Sequence, residues 1–266
     1  MILDSLQKVW RDGLASVLIL SILFAVYSLE PDTSLEQIRS SGQLSACTPI
    51  SYPPLVNDLV QEPGIDVELL QALADELGVK LSIKRNSAMG QDFNPRNWRI
   101  TRAQCQILAG GVVDSSLTRS FLDVIAPHGQ TGWSVISKKN LIDLKEKKIA
   151  ILAGISGLNR LDLSRELRAQ STKVIVAPNL EVFIQLVSSD AVDAGITERL
   201  MGQKIASDQG WILNWAPGDL PRYQIAFGLW KGDLTLKRAL LAVFDKIQRT
   251  GELTTIQSRY FDATQF

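Results

Sequence analysis

From Gly13 to Leu29 seventeen residues pass without a charge, after Lys8 and Arg11 and before Glu30 and Asp32. As helix such a run spans about 26 Å, near the lower limit for a bilayer core. No Ala-x-Ala pair closes it and no cysteine follows for lipid attachment, so residues 1–30 read as a retained single-pass anchor in preference to a cleaved signal. The basic residues ahead of the run would stay cytoplasmic, which places everything after Glu30 in the periplasm or outside. Beyond residue 31, short apolar runs alternate with amphipathic stretches, the pattern of an α/β fold with parallel strands joined by helical crossovers. Strands are predicted at Leu44–Cys47, Leu81–Ile83, Cys105–Ala109, Ser134–Ile136, Ile149–Leu152, Val174–Val176 and Ala194–Ile196. Apolar residues at 67, 69, 70, 73 and 77 predict a helix stopped by Gly78. Leu234 to Ile247 forms a last amphipathic helix ending near Gly251, with Ile256, Tyr260 and Phe261 as a docking tail.

Composition narrows the chemistry. The chain has 266 residues, 28 basic and 28 acidic, a balance that argues against a dedicated nucleic-acid binder. One histidine, His128, excludes a multi-histidine zinc site and leaves little for a Ser-His-Asp triad, so no metal, cofactor or catalytic group is predicted. His128 itself reads as a hinge or surface residue. Trp133, Trp211, Trp215 and Trp230 read as packing of the core or of domain edges. Two cysteines, Cys47 and Cys105, exclude an iron–sulfur cluster or zinc ribbon within one chain and leave one disulfide or two buried thiols.

Six segments in order carry a family resemblance that covers nearly all of residues 34 to 262. They are Ser34–Gly42, Tyr52-Pro-Pro54, Gly64-Ile-Asp-Val-Glu-Leu69, Ser116-Leu-Thr-Arg119 with Phe121 to Pro127 after it, Asp143-Leu-Lys145 with Ile149 to Gly157, and Val192-Asp-Ala-Gly-Ile-Thr-Glu198; Ile225 to Asp233 and Gly251 to Phe261 resemble the closing strand and tail. In these the chain is similar to the family 3 extracellular solute-binding proteins, the amino-acid-binding, two-lobed periplasmic type. The resemblance implies a type II periplasmic-binding-protein clamshell, with residues 31–130 and 221–266 as lobe 1 and 131–220 as lobe 2, on the periplasmic face of a bacterial inner membrane. The implied partners are a small amino-acid-like ligand, the membrane through the N-terminal helix, and an ABC transporter permease or another integral membrane complex, with no nucleic acid.

The resemblance also assigns roles. Arg119 matches an arginine that clamps the ligand carboxylate through its planar fork, Glu198 an acid that accepts from the ammonium, Ser156 a hydroxyl at a helix start where an anion can sit, and Tyr52 an aromatic that packs on the ligand. Ligand bridging the lobes would favour closure. This chain departs from the pattern at Asp114, where the family has Ser or Thr: a carboxylate there repels an α-carboxylate or ties Arg119 into an internal pair, so that Ser115 or Ser116 takes over or the ligand is not a plain amino acid. Gln106 replaces an acid, and residues 86–102 match poorly, leaving Phe93 or Trp98 to face the ligand. The two cysteine positions resemble a subgroup that accompanies quinoprotein dehydrogenases; a disulfide between opposite ends of neighbouring parallel strands would be strained, and two thiols stand as the alternative. Three functions follow: a membrane-tethered solute-binding protein first, an accessory subunit that has kept the clamshell and lost its ligand second, and a dehydratase using Glu198 as the acid third.

Overall fold

The structure, a computed structural model, describes residues 14, 17–21, 32–89, 93–141, 143–152 and 158–260. Of the uncharged run, Leu14 and residues 17–21 are described and helical; no helix among the described residues is long and apolar enough to cross a membrane. The predicted anchor therefore falls mostly outside the described residues.

From Ser34 on, two five-stranded sheets form. The first is built from β1 (Gln43–Pro49), β2 (Lys80–Asn86), β3 (Ile107–Val113), β4 (Leu122–Thr131) and β10 (Tyr223–Trp230), in the order β2-β1-β3-β10-β4. The second comprises β5 (Trp133–Ser137), β6 (Lys148–Leu152), β7 (Lys173–Ala177), β8 (Ala194–Glu198) and β9 (Ile212–Trp215), in the order β7-β6-β8-β5-β9. The chain passes between them twice, at Gly132 and between Trp215 and Tyr223.

Around the first sheet lie α1 (Ser34–Ser41), α2 (Ile65–Glu76), α3 (Ser116–Phe121), α7 (Leu234–Arg249) and α8 (Glu252–Ser258). Around the second lie α4 (Arg160–Ala169), α5 (Leu180–Ser188) and α6 (Arg199–Gln209). Gly78, at φ +71°, lies just past the end of α2, in the left-handed conformation that glycine adopts freely. In α7 the residues at 236, 240, 244 and 247 are buried, one apolar stripe at helical spacing.

Strand alternation explains the second sheet. Ile149 pairs with Val174 and Ile151 with Val176 on the α4 face, whereas Ala150 pairs with Ile175 and Leu152 with Ala177 on the α5 face. The sheets are mixed, not purely parallel: β10 runs antiparallel to both β3 and β4, and β5 antiparallel to β8 and β9. The physical reason is the double crossing, since a chain that leaves one lobe through β4 and returns through β10 lays these strands side by side in opposite directions.

One open alternative is resolved and two local expectations, a strand start and the place of His128, are corrected. Cys47 and Cys105 form a disulfide with their Cα atoms 5.6 Å apart. The third strand begins at Ile107, two residues later than predicted, and pairs with β1 at Ala46, so Cys105 sits in the turn ahead of β3 and beside Cys47. Trp98, Met89 and Leu108 pack around the bridge, which makes Trp98 a core residue. His128, expected at the surface or hinge, is fully buried in the lobe 1 core. Its Nε2 lies 2.7 Å from Asp66 Oδ1 and its Nδ1 2.8 Å from the Ala126 carbonyl, while Asp66 Oδ2 accepts from Gly110 N at 2.6 Å. One buried pair thus ties the start of α2 to β3 and β4.

Candidate functional site

The two lobes meet on a sealed junction. Tyr52 follows β1, in a turn closed by hydrogen bonds from Tyr52 N to Val56 O (2.8 Å) and from Val56 N back to Tyr52 O (3.1 Å). Its ring lies against Gly111, where an added Cβ would come 3.0 Å from Tyr52 Cε1, so the absent side chain makes room for it. Glu198 ends β8 and caps α6: its carboxylate accepts from Leu200 N and Met201 N, both at 3.0 Å, and from the Thr131 hydroxyl. Thr131 is the last residue of β4, so this contact joins the first sheet to the second.

Tyr52 and Glu198, assigned to opposite lobes, are near neighbours. Burial first, and then the Glu198 carboxylate, push the Tyr52 phenol well above its ordinary range, while the approach falls short of a formed hydrogen bond and leaves the hydroxyl sealed without one. Burial also raises the Glu198 carboxyl, against the opposing pull of its donors and of Arg199. Apolar packing crosses the same junction: Leu200 of α6 joins the lobe 1 core, and Phe93 and Val113 join the lobe 2 cluster around Trp133.

Beside the crossing segments, Trp215 is stacked by two guanidinium groups, with Arg199 Cζ 4.0 Å and Arg222 Cζ 4.4 Å from its ring centre. Burial, then the charge of Arg222, lowers the Arg199 pKa. An added Cβ on Gly132 would stand 3.0 Å from the Trp215 ring, so a larger residue at this crossing would have to displace the stack. Neither Thr131 nor the Arg199–Trp215–Arg222 stack was foreseen. The positions of Thr131, Trp215 and Arg222 beside the crossings are the signal that could have found them; Arg199, at the start of α6, had none.

The predicted carboxylate clamp is arranged differently. Arg119 forks onto Asp114, Nε to Oδ1 at 2.5 Å and Nη2 to Oδ2 at 2.6 Å. That hydrogen bonding, then the Asp114 charge, raises the Arg119 pKa. The pair is open to solvent, with side-chain exposures of 60% and 25%, and exposed pairs are worth little as stabilisation. Its consequence is chemical: the fork that would grip a ligand carboxylate already holds one. Ser115 caps α3, accepting from Thr118 N at 3.1 Å, and Ser116 stands exposed at the first helical position. Ser156 lies outside the described residues. Among the described residues no cluster of acids, histidine and cysteines could hold a metal ion.

The family model described as "Bacterial extracellular solute-binding proteins, family 3" matches residues 44–263. The curated "Membrane-bound lytic murein transglycosylase F" of Pseudomonas fluorescens is 24% identical over 94% of this chain and 53% of its own length. The chain spans about half the length of the transglycosylases it matches. "Probable amino-acid-binding protein YxeM" of Bacillus subtilis is 21% identical, over 93% of this chain and 94% of its own. Among solved structures, an ancestral cationic amino acid solute-binding protein superposes with a TM-score of 0.68 at 18% identity, covering 86% of this chain and all of its own. A Streptococcus pneumoniae amino acid transporter substrate-binding protein bound to L-arginine gives 0.60 at 20% identity, over 87% of this chain and 99% of its own. At such identities these structures speak for the fold.

Proposed function

This chain belongs to the bacterial extracellular solute-binding proteins, family 3, and on that premise we propose that it is a membrane-tethered periplasmic protein that captures a small polar, amino-acid-like ligand between its two lobes. The observation that carries the reading is the meeting of Tyr52 from one lobe with Glu198 from the other at a sealed junction. In this reading Glu198 receives the ligand's cationic end, Tyr52 packs on its body, and Arg119, with Ser116 beside it in the sequence, takes its acidic end once Asp114 yields. A ligand touching both lobes binds the closed form better and shifts the hinge equilibrium towards it. The amino-acid-binding relatives support this chemistry, and the uncharged run from Gly13 to Leu29 supports the tether.

A second reading, an accessory subunit that has kept the clamshell and lost its ligand, is favoured by the Arg119–Asp114 fork, which satisfies the carboxylate clamp internally. Half-length similarity to transglycosylases also fits a clamshell that serves a larger assembly. A thermal-shift screen of the chain against amino acids, small dicarboxylates and polyamines separates the two. A ligand at a hundredfold excess over its Kd adds about 2.7 kcal/mol to stability. Capture predicts a shift that Glu198→Gln abolishes; a flat screen on folded protein gives the accessory reading.

A further inference from the structure

Lobe 2 leaves one border of its sheet open. β7 ends the strand order and, among the described residues, pairs only with β6, in unbroken register. Lys173 N donates inward to the Lys147 carbonyl at 2.8 Å, so alternation keeps the backbone groups of Ile175 inward and turns the N–H and C=O of Val174 and Val176 outward. The two valine side chains are uncovered too, 43% and 64% exposed, and with Ile151 of β6 and Leu163 and Leu167 of α4 they line a groove of about 520 Å³. Leu161 of α4, 72% exposed, shares a helix face with the lining residues Ser164 and Arg168. Sheet edges are normally blunted by charge, proline or a bulge. β2, which borders the first sheet, carries Lys80, Lys84 and Arg85. β7 carries only Lys173, at its first position and on the sheet face opposite the valines.

This short edge complements itself. A two-fold axis through Ile175 sets two β7 strands antiparallel, with Val174 opposite the second copy's Val176, and residues so paired exchange both of their N–H···O=C bonds. Every outward N–H and C=O of Val174 and Val176 then has a partner. The same register places Lys173 opposite Ala177, so no charge on the strand meets its like. α4 links two parallel strands and therefore runs antiparallel to β7. The axis turns the Leu161 end of one α4 towards the Arg168 end of the other, which separates the two Arg168 side chains and brings Leu161 towards an arginine stem. The valines of both copies form one apolar ribbon along the joined grooves. A lipid surface, by contrast, would leave the outward amides without partners. β7 lies three strands from β5, which the chain enters through Gly132, so pairing there leaves the crossings and the Tyr52–Glu198 junction untouched.

We propose that β7 is the seam of a two-fold dimer, in which a second copy of this chain joins the two lobe 2 sheets into one. Backbone pairing fixes the register, and burial of Val174, Val176 and Leu161 supplies the affinity.

The test uses the full chain in detergent. Light scattering should give a dimer of the 29.3 kDa chain. The double change Val174→Glu and Val176→Glu sets like charges opposite one another in this register and should weaken dimerisation by about tenfold or more. The native cysteines are bonded to each other, so an added thiol reports the register. Across the axis the two Cα atoms of residue 175 stand about 4.5 Å apart, within disulfide reach. Oxidised Ile175→Cys should therefore link two copies, whereas Val174→Cys should link only when mixed with Val176→Cys. Melting curves establish that the glutamate variant folds; should it not, the cysteine variants carry the test. The proposal is overturned by a monomer at every soluble concentration, by a dimer that survives the glutamate change and so is held elsewhere, or by Val174→Cys alone linking as readily as Ile175→Cys. It is overturned as well by a monomer whose Val174 and Val176 amides are protected from exchange only on adding phosphatidylglycerol vesicles or an unrelated strand peptide, which would give the edge to another occupant.

Discussion

Replacing His128 with phenylalanine should cost the protein much of its stability margin. The Ala126 carbonyl can only accept, so Nδ1 of His128 carries a proton, and the charge and hydrogen bond of Asp66 favour a second proton at Nε2, which makes the ring an imidazolium. Both side chains are fully buried. Burial pulls the His128 pKa down, but the charge and hydrogen bond of Asp66, with the Ala126 carbonyl, outweigh it and leave the pKa above its ordinary value. His128→Phe keeps a ring against Phe227 and Phe244 and deprives Asp66 of its counter-charge in a dry core. Removing one partner of a buried pair costs about 3–5 kcal/mol, which at ~2–4 °C per kcal/mol for a chain of this size is a drop in melting temperature on the order of 10 °C. The sign with pH follows from the raised folded value. The stabilisation is complete below the unfolded pKa of about 6.5 and is lost as pH rises through the folded pKa. Scanning calorimetry from pH 5 to 9 should therefore show the parent protein losing stability above about pH 6.5, a loss absent from the variant. Asp66→Leu combined with His128→Phe should be less damaging than the sum of the singles, because no charge is left stranded. A loss under ~1 kcal/mol in His128→Phe, or an unchanged pH slope, would refute the buried imidazolium.

Reduction of the Cys47–Cys105 bridge, or Cys47→Ser with Cys105→Ser, should lower stability by up to about 4 kcal/mol, the chain-entropy value for a sequence separation of 58; a melting curve indifferent to reductant would contradict the bridge. Tyr52→Phe removes a sealed hydroxyl without a formed hydrogen bond, so urea denaturation of the ligand-free protein should show no loss and a gain of up to ~1 kcal/mol; a clear loss would reveal a partner. Asp114→Ser should release Arg119 and tighten calorimetrically measured binding of carboxylate ligands at least fivefold, and adding Arg119→Ala should cancel the gain.

Much of the fold was legible where one period dominates a segment. Ile149 to Leu152 and Val174 to Val176 read as strands because both faces of their sheet are apolar, and α7 read as a helix from its single buried stripe. β4 was not among the predicted strands, because Pro127 and Gly129 interrupt it and its hydrogen bonds come from β10, nearly a hundred residues away in sequence. His128 was misplaced for a related reason: nothing near it in sequence announces Asp66, its partner across the core. At the junction, the contact between Tyr52 and Glu198 arises from long-range closure and not from local pattern. The Asp114–Arg119 pair lies five residues apart across the start of α3, and there the sequence held the answer as one of two alternatives. The open edge of β7 was invisible until the strand order was known.

Amide hydrogen exchange in the presence and absence of a millimolar mixture of amino acids, small dicarboxylates and polyamines tests bridged closure most directly. The account predicts slowed exchange on both sides of the junction at once, in the turn from Tyr52 to Val56 and at the α6 start, Leu200 and Met201. Unchanged exchange, or protection confined to one lobe, would contradict it.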